Sequence, residues 1–218
     1  MASTRSAGWG RPGDDGLVTA APVPVPARDA DRNAGVRAVL GMSAVMWAAE
    51  VVDTVTGHRL DAYGIEARDV DGLVGILLAP FLHFGFAHLV ANTVPFVVMG
   101  LVIALGGAAR VLAVTAIAGL VSGAGVWLVG PGSGVTAGAS GVIFGYAAYL
   151  VARGVVARSP LYLAVGAVVA AVWGAGLLAG LLPQAGISWQ GHLFGAVGGV
   201  LAARLLHRRR PTRQPSSV

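Results

Sequence analysis

Six runs of apolar residues, near 37–56, 88–106, 109–130, 135–153, 160–183 and 188–206, constrain this chain more than any other feature. Each is about the length, roughly 17–25 residues, that a helix needs to cross the hydrocarbon core of a bilayer. Backbone polar groups in lipid must be satisfied within the segment, which helices do. The expected fold is therefore all-α: a polytopic membrane protein with six transmembrane helices. Composition agrees. Of 218 residues, 56% are hydrophobic and 11% charged, against about a quarter charged in a soluble domain. The 33 glycines suit helices whose backbones approach closely.

Residues 1–36, rich in Pro, Ala, Arg and Asp, read as a disordered cytoplasmic tail. Residues 37–206 form the membrane domain, and residues 207–218 a basic cytoplasmic tail. All 15 basic residues are arginine. Arg28, Arg32 and Arg37 precede the first span. Arg110 lies between spans two and three, Arg153 and Arg158 between four and five, and Arg204, Arg208, Arg209 and Arg210 end the sixth. With six spans all of these fall on one side, which the positive-inside rule makes the cytoplasm. Both termini are then cytoplasmic, in a multi-pass protein of the cell membrane. The arginines serve orientation rather than a nucleic-acid stripe, so no nucleic-acid partner is expected; the partner is the bilayer itself. The long loop 57–87 contains an apolar segment, Val70–Phe86, too short to span and interrupted by Pro80. It reads as an amphipathic or re-entrant element at the outer interface, with Tyr63, Phe81, Phe84 and Phe86 as anchors.

Polar and ionisable groups inside a membrane are expensive and need a reason. From span two onward His88, Asn92, Ser122, Ser140 and His192 stand out. Spans two, four and six run in the same direction. His88 opens span two and Asn92 follows one turn later; Ser140 and His192 each lie about one turn inside their spans. All four enter from one side at one depth. Gly141-x-x-x-Gly145 and Gly195-x-x-x-Gly199 are small-residue faces on which spans four and six can meet. A serine hydroxyl is a weak nucleophile until a base takes its proton, which neutral histidine does near neutral pH. Ser140 as nucleophile and His192 as base follow. The ten acids all lie at or before residue 71, so the later spans offer no carboxylate for a triad. A Ser–His dyad is favoured, its imidazole packed against Phe144, with Glu50 and Asp53 left open as orienters. The amide of Asn92, the ring N–H of His88 and the backbone N–H of Ser140 would stabilise an oxyanion. Taken alone, Gly138-Ala-Ser-Gly141 reads as helix packing, and His88 and Asn92 as interhelical hydrogen-bond glue; it is their joint placement that points to chemistry. His83 reads as a buttress of the loop.

His83-Phe-Gly-Phe-Ala-His88-Leu-Val-Ala-Asn92, Gly138-Ala-Ser140-Gly141 and Gly191-His192-Leu-Phe-Gly195-Ala-Val-Gly-Gly199 resemble, in order, spacing and host spans, the six-helix bacterial form of the rhomboid family of intramembrane serine proteases. The resemblance covers about residues 37–206. It implies a rhomboid-like bundle and a serine endopeptidase that hydrolyses peptide bonds in or near transmembrane segments of membrane proteins, without cofactor or metal. It maps the nucleophile to Ser140, the base to His192 and oxyanion stabilisation to His88 and Asn92. Two departures stand out: Phe144 occupies a position where the family often has Tyr, and Arg68 lacks the Trp that precedes Arg in the first loop of some members.

Rival chemistries fit less well. A zinc protease would want His-Glu-x-x-His, which is absent, and an aspartyl type needs two intramembrane Asp, with none after residue 71. Zinc on His83, His88 and His192, a non-catalytic rhomboid-like binder of client helices, and a small-solute transporter with paired repeats are the remaining alternatives.

Overall fold

A computed structural model describes residues 27–207. Six long helices carry the fold: α1 (Ala27–Val55), α3 (Phe86–Ala104), α4 (Ala108–Val129), α5 (Ser140–Ala157), α6 (Pro160–Gly180) and α7 (Trp189–Leu205), with a short α2 (Gly75–Leu78) in the first loop. They correspond one to one with the six apolar runs. Five are at least 18 residues long and apolar enough to cross a membrane. The sixth, α7, has 17 residues, about 25 Å at the α-helical rise. Its glycines and His192 dilute its apolar character, which is consistent with its position: it packs against α4 and α5 rather than facing lipid all round.

Two boundaries differ from expectation. The first helix starts at Ala27, so residues 27–36, expected to be disordered, are helical; residues 1–26 and 208–218 of the expected tails lie outside the described residues. The added turns have a partner. Asp31 accepts a hydrogen bond from the Ala108 backbone N–H at 3.1 Å, capping α4 at the end where the helix dipole favours an anion. Gly35 packs beneath Ala104 and Gly107 with no room to spare. The second difference is in span four. The helix begins at Ser140 and runs to Ala157 rather than covering 135–153, because residues 135–136 form a strand, β2 (Val135–Thr136), paired antiparallel with β1 (Ile65–Glu66). Ser140 is thus the first residue of its helix, not one turn in.

The long first loop is structured. Short helical turns occupy 71–73, 75–78 and 79–81, in agreement with the expected non-spanning element. Ile76 sits over Gly123, where a Cβ would fall 2.8 Å from Ile76 Cγ2. Arg68 ties the loop to the end of α4: its backbone N–H donates to Trp127 O at 2.9 Å and its Nη1 to Gly130 O at 2.8 Å. Trp127 Nε1 returns a bond to Asp69 O at 2.7 Å. Of the expected anchors, Tyr63, Phe84 and Phe86 are exposed, while Phe81 is half-buried against the core.

The closest packing in the bundle joins α5 and α7. A Cβ on Gly195 would collide with the backbone of Gly141, and one on Gly199 with the backbone of Gly145. The two small-residue faces therefore meet in register. With no side chain between them the helices come into backbone contact, which sets how near the first turn of α5 lies to that of α7.

Candidate active site

That contact brings Ser140 and His192 together. Ser140 Oγ and His192 Nε2 are 2.9 Å apart. On its other side His192 Nδ1 lies 2.7 Å from the carbonyl oxygen of Gly180, at the end of α6. A carbonyl can only accept, so Nδ1 carries the proton and Nε2 presents its lone pair to the Ser140 hydroxyl. Phe144 stacks on the imidazole with ring centroids 4.1 Å apart and planes 6° from parallel. The ring is thus held at both nitrogens and on one face. Neither Glu50 nor Asp53 supplies the orienting group. Asp53 accepts from the Leu60 N–H at 2.7 Å and pairs with His58 Nδ1 at 2.9 Å. Glu50 is buried, and among the described residues neither of its oxygens has a hydrogen-bond partner.

The turn before Ser140 is built by a glycine and by the first loop. Gly138 has φ +127°, a conformation that glycine adopts without steric cost. Its N–H donates to Ala79 O at 2.8 Å, and the Ala139 N–H points at His83 Nε2 at 3.4 Å. His83 is 1% exposed, and its Nδ1 has no hydrogen-bond partner among the described residues. Burial, with the His88 ring beside it, pushes its pKa down to about 4, so it is neutral at physiological pH. Its role is to brace the turn.

Beside Gly138 lie the two other polar groups. His88 Nδ1 faces the Phe84 N–H at 3.4 Å; as an acceptor there, the ring keeps its proton on Nε2. A Cβ at Gly138 would fall 2.9 Å from that Nε2. Asn92, 5% exposed, donates one amide hydrogen to His88 O at 3.0 Å and keeps the other free. As the start of α5, the Ser140 amide has no intrahelical acceptor. The His88 and Asn92 side-chain nitrogens lie beside Gly138, in one volume with Ser140.

That volume belongs to a cavity of about 770 Å³, lined by Ser140, His192, His88 and Asn92 together with the loops 131–137 and 184–190. Its apolar wall includes Ile76 and Val126. Ser122, flagged in the sequence without a role, donates to Gly191 O at 2.7 Å and ties α4 to the turn that starts α7. Among the described residues the group of side chains within metal-ligand range is Asp53, His58 and Asp61, not the three histidines at the cavity. Sequence reasoning missed the Gly180 carbonyl, Asp31 and the Arg68 tie. The Gly180-Leu-Leu-Pro183 pattern does signal a helix end, but not what its carbonyl faces.

A six-helix membrane bundle with a serine and a histidine in hydrogen-bond contact at a cavity between its helices defines a class, the polytopic membrane proteins with a polar pair inside the bundle. Within it the chain belongs to the rhomboid family, a family of intramembrane serine proteases: the Rhomboid domain model matches residues 71–209. Relatives are found in mycobacteria. The uncharacterized protein Rv1337 of Mycobacterium tuberculosis and the uncharacterized protein Mb1372 of Mycobacterium bovis are each 43% identical over 177 residues, 77% of this chain and 73% of theirs. The uncharacterized protein ML1171 of Mycobacterium leprae is 41% identical over 177 residues, 77% of this chain and 70% of its own.

Proposed function

We propose that this protein is a serine endopeptidase that hydrolyses peptide bonds in or near transmembrane segments of other membrane proteins, with Ser140 as nucleophile and His192 as general base. The observation that carries the reading is the 2.9 Å contact between Ser140 Oγ and the unprotonated Nε2 of His192. As Ser140 Oγ attacks the scissile carbonyl, its proton passes to Nε2. The developing oxyanion is met by the His88 Nε2–H, the free amide hydrogen of Asn92 and the Ser140 N–H, aided by the positive end of α5. Imidazolium then protonates the departing amine, and the acyl-enzyme is hydrolysed by water activated by the same nitrogen. Water reaches this depth through the cavity. The substrate is a membrane helix, which must unwind locally to expose a carbonyl, so residues that lower helix stability near the scissile bond favour cleavage.

The arginine distribution supports an orientation with both termini cytoplasmic and the cavity facing outward, in the cell membrane.

The test uses the purified full chain in lipid and a fluorogenic transmembrane substrate. Wild type should cleave, while Ser140→Ala and His192→Ala should fall to background. Ser140 should also be labelled by a fluorophosphonate probe in wild type, and not in the His192 variant at a comparable rate. Cleavage that survives both substitutions would remove the assignment.

A further inference from the structure

Among the described residues no side chain hydrogen-bonds the Nδ1 of His192; its partner is a main-chain carbonyl. We propose that the main-chain carbonyl of Gly180, at the C-terminal end of α6, is the positioning group of the Ser140–His192 pair, and that α6 thereby governs whether His192 can act as a base. The inference rests on the protease reading for its kinetic consequence, but its structural half stands without it.

Three observations converge. First, Gly180 O is free to be used this way. The last carbonyls of a helix have no intrahelical partner, and here the neighbouring ones are otherwise engaged: Leu181 N–H donates to Leu178 O, Leu182 N–H to Ala179 O, and Gln184 Nε2 to Ala179 O. The Gly180 carbonyl is left for His192 Nδ1 at 2.7 Å. Second, the approach demands glycine. A Cβ at position 180 would fall 2.8 Å from Phe144 Cζ and 3.0 Å from His192 Nδ1. Phe144, stacked on the imidazole, reaches the end of α6 as well, so ring, base and helix end form one interlocked unit. Third, α6 is the least embedded of the long helices. Three of its residues, Gly166, Val169 and Gly180, are buried, against ten in α5 and eight in α4. It packs on α5 through Gly154 against Leu163 and Gly166 against Val151, and on the core through Val169, Trp173 and Leu177. The orienting group is thus carried by the element that other helices restrain least.

The consequence is a dependence of chemistry on helix position. A hydrogen bond of this kind weakens steeply once its geometry is lost. Shifting the end of α6 outward by about the width of a water would release Nδ1. The proton is then free to reside on Nε2, where the imidazole donates toward Ser140 instead of accepting from it. Losing the correct tautomer cost a serine protease about 10⁴-fold in turnover when its orienting acid was amidated; a weakened carbonyl should cost less.

The experiment changes the acceptor without adding an atom. Leucic acid, the α-hydroxy analogue of leucine, is installed at position 181 of the full chain by nonsense suppression. It converts the Gly180 carbonyl to an ester, a poorer acceptor. The same replacement at position 182 is the control: it also deletes one helix-end N–H, yet leaves the Gly180 amide intact. The expected result is a fall in kcat of tenfold or more for the 181 ester, with KM within twofold of wild type, and both parameters within twofold for the 182 ester. In ¹⁵N-histidine spectra the His192 signal, assigned by its loss in His192→Gln, should report Nδ1–H in wild type and a mixed tautomer in the 181 ester. Equal kinetic effects of the two esters, or an Nε2–H tautomer in wild type, would overturn the proposal. A wild type that cleaves nothing but shows the Nδ1–H tautomer refutes the protease reading while leaving the Gly180 hydrogen bond standing.

Discussion

Asn92 illustrates how much of this site is set by single polar groups. One of its amide hydrogens is spent on the carbonyl of its own helix, four residues back at His88. That bond fixes the rotamer and turns the second hydrogen toward the space beside Gly138. On the proposed mechanism, truncation to alanine removes a donor from the place where negative charge develops, and leaves the Ser140–His192 contact untouched. Asn92→Ala should therefore lower kcat by about 10²–10³, the usual cost of one oxyanion donor, with little change in KM. Steady-state cleavage measures this, and an unchanged kcat would mean that Asn92 is interhelical glue only. His83 makes a contrasting case. Its pKa, lowered to about 4 by burial and by the neighbouring His88, keeps it neutral near pH 7. It acts as an acceptor for the Ala139 N–H, and any acidic limb of the activity profile above about pH 5 belongs to another group.

At the scale of elements, the first loop is the piece whose attachment the sequence disclosed least. Its length, its apolar segment and its failure to span were legible, because they follow from counting residues and locating Pro80. Its anchorage was not. Arg68 has φ +62° and donates to Gly130 O and the more distant Leu128 O, at the carbonyl end of α4, where a cation is favoured by the helix dipole. Those acceptors are main-chain atoms about sixty residues away, and no side-chain pattern encodes them. Arg68→Ala should lower the unfolding free energy by about 1 kcal/mol, since the guanidinium is partly exposed. Thermal denaturation in detergent should show the loss, with Arg68→Lys recovering only part of it because a point charge lacks the planar fork. The same loop carries a titrating tie. The hydrogen bond to Asp53 raises the pKa of His58. A base whose folded pKa is raised stabilises the fold fully below its ordinary value of 6.5, and loses that contribution as pH rises through the folded value. The difference in Tm between wild type and His58→Gln should accordingly be largest near pH 5 and shrink above neutrality. A difference constant from pH 5 to 9 would contradict the pairing. It should be small throughout, because His58 is exposed and exposed ion pairs contribute little.

Across the whole molecule, the legible features were those carried by side-chain identity and period. Six apolar runs gave six helices, and Gly141, Gly145, Gly195 and Gly199 at four-residue spacing marked the faces that join α5 to α7. What stayed hidden, the carbonyl of Gly180 and the cap from Asp31, depends on backbone atoms that become neighbours only after the helices have packed. This division has a mechanical consequence. Because the α5–α7 contact is backbone against backbone, any side chain there must push the helices apart, at a cost of about 1–3 kcal/mol or more for overpacking. The two glycines of α7 are not equivalent in what they carry, however. Gly195 lies on Gly141, the residue next to Ser140, whereas Gly199 lies on Gly145, one turn farther from the reacting atoms. Separation at Gly195 opens the 2.9 Å contact between Ser140 and His192 directly; separation at Gly199 pivots the helices below it. Gly195→Ala and Gly199→Ala should therefore reduce unfolding stability by similar amounts, yet differ in chemistry. Fluorophosphonate labelling of Ser140 should slow at least tenfold in the first variant and by only a fewfold in the second, when both are measured under conditions where each remains folded. Labelling of Gly195→Ala at the wild-type rate would show that the glycine interface serves stability alone, and that the spacing of Ser140 from His192 is fixed elsewhere.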